Sequence, residues 1–125
     1  MIYVGTQLQV SDNSGAKKLE CIKVLGKKAG SPALLGDIIV VSVKDALPKH
    51  KSKVQKGEIY KAVIVETKQG IQRKDGSSLR LSQNSAILLS PQSSDPLGTR
   101  VLGRVTYELR KKNQTKILSL ASHVF

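Results

Sequence analysis

The chain offers few residues suited to catalysis and many suited to holding anions. Its histidines are His50, in a basic loop, and His123, near the end of the sequence. Neither has a cysteine or another histidine at ligand spacing, which argues against a zinc site. Cys21 is the only cysteine and sits in the apolar run Cys21-Ile22-Lys23-Val24-Leu25. A small buried hydrophobe explains it better than a nucleophile does. A lone cysteine makes no internal disulfide, in keeping with a reducing compartment. No nucleophile elbow, phosphate-binding glycine loop or dinucleotide fingerprint is present. Asp12, Asp37, Asp45 and Asp75 remain as a conceivable carboxylate cluster of nuclease type. Each has a plainer reading. Asp12 and Asp75 fall in turns, Asp37 follows a glycine at a strand start, and Asp45 ends a strand. No enzyme and no cofactor is expected.

The cations say more. Lys and Arg number 21 against 9 Asp and Glu in 125 residues, a formal net charge of +12. A compact body with that excess repels itself unless a polyanion neutralises it. Nucleic acid is the first candidate, because Lys and Arg release counterions from backbone phosphates. An acidic membrane surface ranks second, since no amphipathic basic helix of useful length and no bilayer-spanning apolar stretch is apparent. The basic residues concentrate in Lys17-Lys18, Lys27-Lys28, the segment from Lys49 through Lys51 and Lys53 to Lys56, Arg73-Lys74, and Arg110 to Lys112. Most of these fall on loops or hairpin tips, where a rigid scaffold would present them to phosphates at several points. Aromatic content is only 3%, namely Tyr3, Tyr60, Tyr107 and Phe125. Binders of single strands stack bases on aromatic platforms. The scarcity therefore favours contact with the phosphates and sugars of folded RNA, read by shape. A free oligonucleotide-binding module is the alternative that the aromatics disfavour.

The elements that would position these residues are mostly strands. Thr6 to Val10 alternates apolar and polar residues, and Ser11-Asp12-Asn13-Ser14-Gly15 is a cluster of turn formers. Leu19 to Leu25 reads as a second strand. Ile38 to Val43 reads as a third, apolar on both faces at its start and so expected to be central. Ile59 to Glu66 reads as a fourth. Ile71-Gln72-Arg73 and Leu79-Arg80-Leu81 flank an Asp75-Gly76 hairpin turn. Ala86 to Leu89 and Thr99 to Val105 are further extended pieces. The helix candidate is Thr106 to Lys112, with Thr106 as cap, Glu108 in the first turn and cations in the last. Ile117-Leu118-Ser119-Leu120 comes near the end. Short strands at regular spacing suggest a closed barrel or a sandwich, and closure suits a chain this small because it removes edges. One domain over 1–125 is expected, with a C-terminal extension from about residue 95. The sequence is expected to begin directly with folded structure, without an apolar signal core or an Arg-rich leader.

Several motifs taken together are specific. Asp12-Asn13-Ser14-Gly15-Ala16, Cys21 to Gly26, Gly36-Asp37-Ile38-Ile39 and Val43 to Pro48 resemble the opening half of the universal large-subunit ribosomal protein L-fourteen family. Lys61 to Val65, Arg73-Lys74-Asp75-Gly76, Asn84-Ser85-Ala86, Pro96 to Val101, Glu108-Leu109-Arg110 and Lys116 to Ala121 resemble the remainder, in order. The resemblance implies an all-β protein: a small five-stranded closed β-barrel with hairpin extensions and a short C-terminal helical segment.

It also implies a structural constituent of the ribosome that binds large-subunit rRNA, beside neighbouring proteins of the L-three and L-nineteen types. It implies a place on the subunit interface, touching small-subunit rRNA in inter-subunit bridges. That surface docks the family's ribosome-silencing factor, and the positions tied to this contact match Thr99, Arg100 and Lys116. The rRNA contacts are expected from Lys17, Lys18, Lys27, Lys28, Lys49, Lys51, Lys53, Arg73 and Lys74. Two departures stand out. Leu81 replaces an aromatic residue after the Asp-Gly turn, and Ser122-His123 replaces a Pro-Glu near the end. The ending from Ser119 to Phe125, with Ser31-Pro32-Ala33, is similar to mitochondrial members and favours a mitochondrial ribosome over a bacterial or plastid one.

Overall fold

Alternation in the sequence becomes a barrel wall once each strand is placed. A computed structural model of the chain describes residues 2–28, 30–51, 53–93, 95–111 and 114–124. In chain order the strands are β1 (Gln7–Val10), β2 (Ala16–Val24), β3 (Ile38–Ala46), β4 (Ile59–Glu66), β5 (Ile71–Gln72), β6 (Ser78–Leu79), β7 (Ser85–Leu88), β8 (Val101–Val105) and β9 (Ala121–Val124). Helices α1 (Glu108–Lys111) and α2 (Thr115–Leu120) lie between β8 and β9, and a 3-10 turn spans Lys49–Lys51.

Five strands close the barrel in the order β1-β2-β3-β4-β7. Neighbours are antiparallel except at the seam, where β1 runs parallel to β7 with Gln9 opposite Ser85 and Val10 opposite Ala86. Inward residues fill so small a barrel completely. Here they are Leu8, Leu19, Cys21, Ile39, Val41, Val43, Ala62, Ile64, Ala86 and Leu88, joined by Val54 from the basic loop. The expected all-β barrel is therefore the fold.

A second core lies outside the wall. Val63 and Val65 of β4, with Ile87 and Leu89 at β7, pack under Val101, Val105, Leu109 and Ile117. This explains the unbroken apolar runs at Ala62–Val65 and Ala86–Leu89. One residue of each pair faces the interior and the next is roofed by the C-terminal segment. Burying each such side chain contributes about 1.5–3 kcal/mol. The two-faced strands are thus β4 and β7. Strand β3, which the sequence marks as central, is paired on both sides but only half-buried outside, at Ile38, Val40 and Ser42.

The Asp75-Gly76 hairpin forms as expected, though with shorter strands. The N–H of Arg73 donates to Ser77 O at 2.8 Å, and Gly76 takes a positive φ of 92°. Gly70 is required at the hairpin base, because a Cβ there would lie 2.1 Å from Leu79 O. Leu81, where the resemblance implies an aromatic residue, is buried.

The C-terminal segment differs from expectation in detail. The helix expected over Thr106–Lys112 is the single turn Glu108–Lys111, with Leu109 buried; Lys112 lies outside the described residues. Thr106 starts the turn through its carbonyl, which accepts from Leu109 N–H at 3.3 Å. Helix α2 takes up Ile117–Leu120, a run whose apolar residues do not declare a period, and buries Ile117. Strand β9 then pairs in parallel with β8, a contact that sequence reading does not anticipate.

Candidate nucleic-acid interface

The cations are displayed by local irregularities in a regular wall. Register shifts between Ala16 and Lys18, between Lys18 and Leu19, and between Cys21 and Lys23 break the alternation of β2. A bulge turns consecutive residues to one side. Lys17 and Lys18 are therefore both exposed, between buried Ala16 and Leu19. The shift between Cys21 and Lys23 leaves Ile22 and Lys23 exposed together, so Lys23, which sequence does not single out, joins the basic surface.

Lys27 and Lys28 differ although adjacent. Lys27 Nζ lies 2.8 Å from Asp37 Oδ2 and donates to Pro32 O at 3.2 Å. Asp37 Oδ2 also accepts from Leu34 N–H at 2.7 Å. Lys27 thus holds the loop between β2 and β3 in shape, whereas Lys28 points to solvent.

The loop after β3 is pinned at its base. Val54 is fully buried in the barrel core, and Lys53 N–H donates to Ser14 O at 2.8 Å. Lys53 Nζ reaches Leu97 O at 3.3 Å. Lys51 and His50 are exposed on the same loop. Lys49 opens the 3-10 turn, and its side chain lies outside the described residues. At the hairpin, Lys74 is exposed at the tip, while Arg73 Nε donates to Glu108 Oε1 at 3.0 Å. That ion pair fastens the hairpin to α1.

Thr99 and Arg100 lie on the loop between β7 and β8, held by Asn13. Asn13 Oδ1 accepts from the N–H of Thr99 at 2.8 Å and of Arg100 at 3.1 Å, and its Nδ2 donates to Thr99 Oγ1 at 2.7 Å. Beneath it, Asp12 is buried and accepts from Ser14 N–H, Ser14 Oγ–H and Leu88 N–H. Burial pushes the Asp12 carboxyl above its ordinary range, against these hydrogen bonds and the charge of Lys53. Lys116 of α2 is ion-paired with Asp95. The fold thus ties Lys116 to the loop that carries Thr99 and Arg100.

Among the described residues, the four candidate aspartates do not converge on one centre. Asp12 and Asp37 are buried, Asp12 bonded to its own turn and to Leu88 of β7 and Asp37 to Leu34 and Lys27, while Asp45 and Asp75 are exposed. Among the described residues, no three His, Cys, Asp or Glu side chains are gathered so that they could hold a metal. Burial pushes the Cys21 thiol up, away from the reactive thiolate. A shallow groove of about 490 Å³ between the start of β3 and the loop after β7 presents Asp37, Lys61, Ser90 and Gln114, without a paired nucleophile and base. What the geometry does supply is a rigid barrel with cations on anchored loops. The family model described as "Ribosomal protein L14p/L23e" matches residues 1–125, the whole of the sequence.

Proposed function

We propose, from the premise that this chain belongs to the ribosomal protein L14p/L23e family, that its cationic loops seat it on large-subunit rRNA while its C-terminal loop faces the subunit interface. Family membership makes the chain a structural constituent of the large ribosomal subunit rather than an enzyme. The observation that carries the finer reading is the anchoring of the basic loops. Val54, the Lys53–Ser14 bond and the Lys27–Asp37 pair fix loop bases whose tips bear exposed cations. Preordered loops lose little entropy when phosphates bind.

In this reading Lys17, Lys18, Lys28, Lys49, Lys51, Lys53 and Lys74 contact rRNA phosphates. Lys27 and Arg73 support the same surface and add their charge to it. Thr99, Arg100 and Lys116 face small-subunit rRNA or a ribosome-silencing factor. Neighbouring proteins of the L-three and L-nineteen types flank the barrel. The chain acts as one domain over 1–125, with its extension starting at about residue 95. The Ser122-His123 ending supports a mitochondrial ribosome.

Sucrose-gradient sedimentation of the tagged chain from isolated mitochondria tests this. Co-migration with the mitochondrial large subunit is the expected result. A tagged chain that stays at the top of the gradient overturns the ribosomal reading. Absence from mitochondria, with co-migration on bacterial or plastid subunits, overturns the compartment alone.

A further inference from the structure

Scarce aromatics argue that this protein reads RNA through its backbone, yet one aromatic ring, that of Tyr107, is exposed among cations. Tyr107 is 55% exposed and immediately precedes α1. The other described tyrosines have different settings. Tyr60 is half-buried and donates its hydroxyl to Glu58 Oε2 at 2.8 Å. Tyr3 is exposed next to exposed Val4, on the segment that Ile2 anchors to Ala33.

Tyr107 lines two clefts. It shares one, of about 490 Å³, with Arg73, Lys74, Asp75, Glu108 and Lys111. It shares a smaller one, of about 260 Å³, with Arg110 and Leu118. The acids in the larger cleft are engaged: Glu108 pairs with Arg73, and Asp75 accepts from Ser77 N–H and Oγ–H. Lys74 and Lys111 are exposed, and Arg73, Lys74 and Lys111 against Asp75 and Glu108 leave the cleft one net positive charge.

The ring also stands on a fixed base. Leu109 is fully buried in the second core, Arg110 N–H donates to Tyr107 O at 3.0 Å, and the Arg73–Glu108 pair joins the hairpin to α1. An exposed aromatic on a rigid support, flanked by cations, is the equipment that stacks a nucleobase and holds its phosphates.

We infer that Tyr107 is a stacking platform for one unpaired RNA base, whose flanking phosphates lie against Lys74 and Lys111. The inference rests on the rRNA-binding reading above and adds a single-nucleotide contact to it. It commits to RNA because both clefts that the ring lines also hold cations; a protein partner is an outcome of the test.

Two measurements test it, using Tyr107→Phe, which keeps the ring, and Tyr107→Leu, which keeps bulk without aromaticity. In the first, the purified full-length chain is titrated with a short single-stranded RNA carrying 2-aminopurine. Stacking quenches the probe. Wild type and Tyr107→Phe are expected to quench it, and Tyr107→Leu to lose the quench with a roughly tenfold weaker affinity. Equal quenching by all three overturns the inference. The second is chemical probing of rRNA in large subunits assembled with each variant. One nucleotide protected by wild type and Tyr107→Phe is expected to become reactive with Tyr107→Leu, at equal occupancy of the chain. Ultraviolet cross-linking of Tyr107 to a protein, with no rRNA change, overturns it in favour of a protein contact. Either negative leaves sedimentation with the large subunit intact, so the two readings fail separately.

Discussion

Asn13 and Thr99 are bonded to each other twice, although 86 residues separate them: Asn13 Oδ1 accepts from Thr99 N–H and Asn13 Nδ2 donates to Thr99 Oγ1. The carboxamide therefore reads both the backbone and the side chain of Thr99. Only an amide carries an acceptor and a donor so placed. Gly98 makes the approach possible, since a Cβ there would lie 2.7 Å from Asn13 Oδ1 and 3.2 Å from Asp12 Cβ. A turn just before β2 thus sets the conformation of the loop proposed to face the subunit interface.

Removing this clamp should cost stability that Gly98 shares. Net hydrogen-bond contributions of about 0.5–1.5 kcal/mol each, at an exposed site, put Asn13→Ala near 1–2 kcal/mol. Gly98→Ala should break the same bonds, so the double variant should lose less than the sum of the singles. Urea unfolding of all three would show it. Strict additivity would mean that the clamp and the glycine act independently.

Leu109 should report on the second core alone. It is the fully buried residue of α1, so Leu109→Ala should cost about 2–5 kcal/mol. The C-terminal cover would loosen and bare Val63, Val65, Ile87 and Leu89 on the outer wall. Increased binding of a hydrophobic dye with an unchanged far-ultraviolet strand signal is expected. Loss of the strand signal would show instead that the barrel cannot stand without its cover.

The barrel was legible because its strands alternate or run apolar between turn formers, as in Gln7-Leu8-Gln9 and Asp75-Gly76. What covers the outside of β4 and β7 was not, because Val101, Val105, Leu109 and Ile117 meet it only through distant packing. Helix α2 is not legible because Ile117-Leu118-Ser119-Leu120 is too short to separate the helical period from the strand period. The binding residues were legible as types and not as states. Spacing alone does not distinguish Lys27, locked to Asp37, from Lys28, and no local pattern pairs Asn13 with Thr99.

Glu108 should make stability fall in acid. Burial pushes its carboxyl up, but its own backbone N–H and the Arg73 guanidinium outweigh this and hold it below the ordinary 4.5. A depressed folded value favours the native state fully above 4.5, and that contribution is lost as pH falls through the lowered value. For a partly exposed pair it should be under about 1 kcal/mol. Thermal melts across this window should be flatter for Glu108→Gln than for wild type. Identical slopes would remove Glu108 from the acid response.

Lys27 and Lys28 should separate stability from binding. Lys28→Gln should leave the melting temperature unchanged and lower the salt slope of rRNA binding by roughly 0.7–0.9. Lys27→Gln breaks the pair with Asp37, so it should lower the melting temperature and change the slope less. Filter binding to large-subunit rRNA over a salt series, beside thermal melts, reads both. Equal slope changes would mean that Lys27 leaves Asp37 to reach a phosphate.

Arg100 should divide assembly from subunit joining. Its backbone N–H is held by Asn13, and its side chain is exposed, so Arg100→Glu leaves the clamp in place while reversing the charge outside it. If that charge faces the small subunit, large subunits should contain the variant at wild-type levels yet join small subunits several-fold more weakly. The effect should shrink as salt rises, because exposed charges are screened over about 10 Å at 0.1 M. Lys116→Ala should act in the same direction but more weakly, since Lys116 already spends part of its charge on Asp95. Gradient profiles of isolated and recombined subunits measure both steps. Large subunits that lack the Arg100→Glu chain would place Arg100 against the rRNA beneath, and the interface would then have to lie elsewhere on the barrel.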